Sequence, residues 1–199
     1  LEEGPHGPPA RPFHGEALPE EAAREAVRLA RRLALPLEGY TADGGFFVEG
    51  DSPLLEAHQR LLGVEAEGAD LLRLSSPLVR LQVLAEGEAP VERLLEALPR
   101  GLQAHVAESP KMPGVRFVSL TKEGVSKLSA ARLVAEAYGL PLSECAMVGD
   151  GENDLELLRA VGVGIAMGNA PPSVKRAAQR VVAPVEACGL AEALRLLRG

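Results

Sequence analysis

No apolar run in this 199-residue chain approaches the ~20 residues that a membrane-crossing helix needs. Leu1 to Pro12 also lacks the apolar stretch of a secretion signal. These absences argue against a membrane protein and point to the cytoplasm. There is no large basic cluster, and the formal net charge is −7, so a general nucleic-acid surface is not expected. Cysteine is nearly absent: Cys145 and Cys188 are far apart and form no CxxC, which favours reduced structural thiols over a disulfide or zinc site. His6, His14, His58 and His105 have no ligand-like spacing and read as surface or partly buried side chains. No internal repeat or low-complexity tract occurs. What remains is an ordinary globular composition, 46% hydrophobic and 25% charged, enough for one good core or two modest domains.

Residues 1–17, rich in Gly and Pro at their start, read as a tail or linker. From Pro19 the pattern is helical: Ala22, Ala23, Ala26, Val27, Ala30 and Leu33 share a stripe, and the arginines from Arg24 to Arg32 form a solvated face supported by Glu20, Glu21 and Glu25. Pro36 closes that helix. Leu37 to Thr41 and Gly45 to Glu49 predict a hairpin, its Asp43-Gly44 turn supplying positive φ angles. A helix from Pro53 to Leu62 follows, then a strand at Val79 to Ala85, a helix from Pro90 to Leu98, and strands at Gln103 to Ala107 and Val115 to Leu120. Residues 18–120 are therefore expected to form an α+β domain with an antiparallel sheet.

Residues 121–199 alternate strictly. Ser126 caps a helix that ends at Gly139 and Pro141, and the strand Cys145 to Val148 is expected to be buried. Helices from about Asn153 to Val161, Pro172 to Ala178 and Leu190 to Leu197 alternate with strands Val163 to Met167 and Arg180 to Val182. This is the pattern of half a doubly wound α/β sheet.

The chemistry gathers where these strands end. Asp150 follows the strand and Asp154 comes one helical turn later, so both carboxylates can face one pocket of the kind that suits Mg²⁺. A helix N-terminus at Asn153 would add donors for an anion. Taken alone, Gly149-Asp150-Gly151 also reads as a turn, and Asp154 as a helix cap. Two further residues favour the site. Lys127 stands in the first turn of its helix, where a cation is slightly disfavoured unless an anion is near, and Asn169 follows Gly168 at the next strand end. Lys127, Asp150, Asp154 and Asn169 are all predicted at one edge of one sheet.

Gly124-Val125-Ser126-Lys127, Val148-Gly149-Asp150-Gly151-Glu152-Asn153-Asp154 and Ala166-Met167-Gly168-Asn169-Ala170 resemble the C-terminal motifs of the haloacid dehalogenase superfamily, in particular its Cof-type sugar-phosphate phosphatases. The resemblance implies a Rossmann-like core whose C-terminal half is residues 121–199, with residues 18–120 as the α+β cap that selects the substrate. It implies Asp150 and Asp154 as the Mg²⁺ site, Lys127 as the cation that neutralises phosphoryl group and nucleophile, and Asn169 and Asn153 as contacts to a small phosphorylated metabolite. The family's Asp-x-Asp-Gly-Thr element, which supplies the aspartate nucleophile and the acid-base aspartate, has no counterpart. The aspartates are Asp43, Asp51, Asp70, Asp150 and Asp154, and no two are separated by a single residue. The expectation is a phosphatase whose nucleophile lies on an upstream segment of roughly 70 to 90 residues, with tail 1–17 its remnant. Association with that segment or with a second copy of the chain would cover the open half-sheet. A catalytically inactive binding or regulatory module and a phosphomutase of related fold are the alternatives.

Overall fold

The computed structural model describes residues 14–198 and separates into two compact units, Leu1–Glu123 and Gly124–Gly199. Most of the proposed tail and His6 lie outside the described residues.

The first unit begins with α1 (Glu20–Arg32), acidic in its first turn and basic in its last, as the helix dipole favours. Arg24 pairs with Glu20 at 3.4 Å and Arg28 with Glu21 at 3.3 Å, while Arg31 reaches out of the helix to Glu49 and Asp70. The chain then enters the hairpin β1 (Leu37–Thr41) and β2 (Phe46–Glu49). Its turn differs from the expectation: Gly44 takes φ 90°, but Asp43 does not adopt a positive φ. The loop is longer than a two-residue turn and is closed by Thr41, whose Oγ1 accepts the Gly45 N–H at 2.9 Å. Next comes α2 (Pro53–Leu62), capped by Ser52 and ended by Gly63 at φ 69°.

A two-residue strand, β3 (Glu67–Gly68), pairs with β2 in parallel, so the sheet is not wholly antiparallel. It is followed by β4 (Leu78–Glu86), α3 (Ala89–Glu96), β5 (Leu102–Ser109) and β6 (Met112–Lys122). The strand order is β3-β2-β1-β4-β6-β5. On β4, Leu81, Val83 and Ala85 join the core formed with α1 and α3, while Leu84 joins a second cluster with Leu55 of α2 on the opposite face. Fully burying a side chain such as Leu81 stabilises the fold by about 1.5–3 kcal/mol.

The second unit opens with α4 (Lys127–Ala137). Ser126 and Ser129 cap it reciprocally, each hydroxyl accepting the other's backbone N–H, at 2.8 Å and 3.1 Å. Then come β7 (Ala146–Gly149), α5 (Leu155–Ala160), β8 (Val163–Ala166), α6 (Pro172–Ala177), β9 (Arg180–Val181) and α7 (Gly189–Arg198). The sheet is parallel, in the order β7-β8-β9. Central β8 is the most buried strand. Strand β7 has one neighbour among the described residues and is only partly buried, and Cys145 precedes it, half-buried, instead of lying within a buried strand. Cys145 and Cys188 are both free thiols. No helix among the described residues is long and apolar enough to cross a membrane.

Candidate active site

The turn after β7 is built around Asp154. A 3₁₀ turn at Glu152–Asp154 precedes α5 and swings this carboxylate back toward the strand end. One of its oxygens, Oδ2, accepts the backbone N–H groups of Asp150 and Gly151, each at 3.1 Å. The other, Oδ1, accepts Lys127 Nζ at 2.5 Å. The Asp154 side chain is 2% exposed, so its charge is kept from water and compensated by two backbone dipoles and one ammonium. Gly149 makes room for it, since a Cβ there would stand 2.7 Å from Asp154 Oδ2.

Lys127 thus has an anionic partner at the start of α4, which is what its unfavourable place on the helix dipole called for. Its side chain remains 48% exposed, leaving donor capacity for a second anion. Asp150 is exposed, and its Oδ2 accepts a weak 3.4 Å hydrogen bond from Asn169 Nδ2. The Asn169 amide is oriented from its other end, where Oδ1 accepts the Val185 N–H at 3.1 Å. Gly168 permits that approach, for a Cβ there would come within 2.6 Å of Pro184 N.

Lys127, Asp154, Asp150 and Asn169 therefore form one connected chain of contacts. Asn153 is exposed beside them and bonds to none of the four. The helix start expected at Asn153 is a 3₁₀ turn, and α5 has six residues, too few to present the anion-binding terminus read from the sequence. Two supports escaped the sequence reading: the Val185 N–H, and Ser173, whose Oγ donates to Glu152 at 3.0 Å. Neither residue lies in a recognisable motif, so sequence offered no signal for either.

Among the described residues no three His, Cys, Asp or Glu side chains gather into a metal-binding group. The arrangement offers one exposed carboxylate, Asp150, beside a buried one whose oxygens already hold the turn and Lys127. A hard cation such as Mg²⁺ takes one or two protein carboxylates and completes its shell with waters and phosphate oxygens, so the donor set fits part of such a site.

The sequence model of the haloacid dehalogenase-like hydrolase family matches residues 13–194. The chain belongs to that family. It is 31% identical over 137 residues to the HMP-PP phosphatase of Cronobacter sakazakii, covering 66% of this chain and 48% of that protein. It is 34% identical over 82 residues to the phosphoglycolate phosphatase of Methanothermobacter thermautotrophicus, covering 41% of this chain and 37% of that one. The chain thus spans less than half the length of either relative. Among solved structures, a phosphatase of the haloalkanoate enzyme superfamily from Bacteroides thetaiotaomicron superposes with TM-score 0.74 at 27% identity, over 92% of this chain and 66% of that one. A haloacid dehalogenase-like hydrolase of the same organism reaches 0.75 at 22% identity, over 93% and 69%. The α/β fold, with its mixed sheet and helices, is that of these structures.

Proposed function

We propose that the chain carries the cationic and metal-facing half of a phosphatase site, acting on the monoester of a small phosphorylated metabolite such as a sugar phosphate. The observation that carries this reading is the Lys127–Asp154 pair, which holds a half-exposed ammonium on the same carboxylate that receives the Asp150 backbone N–H. Lys127 would neutralise the transferring phosphoryl group, and Asn169 and Asn153 would donate to phosphate or substrate oxygens. Asp150 would hold Mg²⁺, which supplies charge neutralisation of the phosphoryl oxygens, with Asp154 fixing the loop that presents it. Two backbone N–H groups and the lysine pre-set that loop, so little reorganisation accompanies binding. The first unit would serve as the cap that selects the metabolite.

The 199 residues contain no Asp-x-Asp, so in this reading the nucleophile comes from polypeptide outside them. Among the described residues β7 is an edge strand, and its outer side is where another parallel strand would pair. The test uses an aryl phosphate with Mg²⁺. The 199-residue polypeptide alone is expected to give no turnover, and appreciable turnover that Asp150→Asn removes would overturn the assignment of the nucleophile. In a longer protein bearing Asp-x-Asp, Lys127→Ala should lower kcat by about 10²-fold or more, and unchanged kcat would sink the role given to Lys127. The missing Asp-x-Asp also favours a second reading, a non-catalytic module that binds the phosphorylated metabolite. Saturable metabolite binding without turnover in the longest natural form of the protein would select it.

A further inference from the structure

Within the first unit a cleft of about 380 Å³ opens beside β1, β4 and α2, lined in part by Tyr40, His58, Arg80, Gln82 and Phe117. Beneath it lies Glu38, fully buried on β1. Its Oε1 contacts His58 Nδ1 at 2.6 Å, and its Oε2 accepts both the Tyr40 hydroxyl and Gln82 Nε2 at 2.8 Å. The carboxylate is thus held by three neighbours. It also fixes Tyr40, whose hydroxyl is pushed well up from its ordinary pKa by burial and then by the Glu38 charge, so the phenol stays neutral.

Arg80 lies over this platform, its guanidinium 4.0 Å from the Tyr40 ring centroid. It forms no ion pair among the described residues, and its Nε is the one buried side-chain polar atom among them without a hydrogen-bond partner. A buried donor left unpaired is costly, and in native structures such a group calls for an explanation. Nearby anions do not supply one. Glu38 is engaged by His58, Tyr40 and Gln82, and Glu108 at the cleft's lip is paired with Arg116.

We propose that this cleft is an oxyanion site, in which the Arg80 guanidinium, held flat on Tyr40, receives the carboxylate or phosphate group of a small metabolite. Arginine's planar fork of donors suits either group in a bidentate pair, and every residue that lines the site belongs to the first unit. It goes beyond the phosphatase reading and stands or falls apart from it.

The experiment is an NMR titration of the intact protein with sodium phosphate and with sodium acetate, against sodium chloride at matched ionic strength. It follows the Arg80 Nε–H and the backbone amides of residues 79–82. A saturable shift with phosphate or acetate, absent with chloride, is expected. Lys127→Ala should leave it unchanged, and Arg80→Gln should abolish the amide response. Arg80→Lys keeps the charge but loses the fork, and should weaken binding about tenfold. No saturable shift with either anion, an equal response to chloride, or amide shifts that persist in Arg80→Gln would overturn the proposal. Loss of the shift in Lys127→Ala would do so too, by placing the anion in the second unit.

Discussion

Among the described residues the first unit gathers seventeen buried apolar residues, from Leu18 to Leu120, into one cluster against α1 and α3, and six more around Leu55 and Leu84 on the sheet's other face. The second divides its interior between two clusters of four, one around Leu158 and Val174 and the other around Ile165 and Ala193. Exposure runs the opposite way. Of the large apolar side chains left open to solvent among the described residues, nine lie in the second unit, among them Val134, Tyr138, Val185, Leu190 and Leu194, against four in the first. The smaller unit thus buries less and exposes more. The reason is topological. A six-stranded mostly antiparallel sheet encloses its own central strands, whereas a three-stranded parallel sheet has one interior strand and two edges. The polar site sits at the end of one of those edges, so the part of the chain with the most specific chemistry is the part with the thinnest core.

The largest effect should come from the centre of the first unit. Leu81→Ala removes a fully buried side chain from β4 and should cost ~2–5 kcal/mol in denaturant unfolding. Leu194→Ala on exposed α7 should stay within about 0.5 kcal/mol. If the two costs came out alike, the contrast would fail, because Leu194 would then be buried in solution against something further.

Next in size is Asp154→Ala. It strands two backbone N–H groups and Lys127, for a loss on the order of 2–3 kcal/mol. Asp150→Asn should be nearly neutral for stability, since Asp150 is exposed and weakly bonded. Hydrogen exchange of the second unit's amides separates the two variants. Equal exchange would deny that Asp154 holds the turn together.

In the unaltered protein, amides of β7 should exchange faster than those of β4, which is hydrogen-bonded on both sides. Slower exchange at β7 would show its edge to be covered.

The smallest effect concerns Asp70, whose carboxyl is held below its ordinary value of 3.8, chiefly by its hydrogen bond from Arg31 and then by the Leu72 N–H. A depressed carboxylate stabilises the folded state above its unfolded pKa, and that contribution fades as pH falls through the lower folded value. Between pH 4 and more acid conditions, the link between α1 and the Asp70 turn should weaken in the native protein. Asp70→Asn should lack this acid-dependent step, and an identical acid profile would remove Asp70 from the account.

Legibility in the sequence followed the range of the interactions. Ser126 as a cap, Gly139 as a helix end and the heptapeptide around Asp150 announce themselves because their partners are two to four residues away. The pairing of Lys127 with Asp154 was half visible, since the sequence asked for an anion near Lys127 but could not say which one. The strand β3 was invisible, two residues long and held by pairing alone. His58 was read as surface or partly buried, yet it is 7% exposed and joined to Glu38. That network unites residues 20 and 44 positions apart in sequence, and only the register of β1 with β4 brings Glu38 opposite Gln82. The helix start at Asn153 was misplaced because the Asp154 carboxylate draws the turn tighter than an α-helix allows.

The two bonds of Asn169 have one further consequence. A side-chain amide is a reversible object, able to turn over and exchange its oxygen for its nitrogen, but here the Val185 N–H, a donor, bonds only to the oxygen. Its polarity is therefore set by that backbone donor, and the nitrogen is what remains to meet Asp150. A remote backbone amide decides the sign of the group that borders the carboxylate, and any substitution that shifts the 3₁₀ turn at Val185–Ala187 frees the amide to show Asp150 its wrong end.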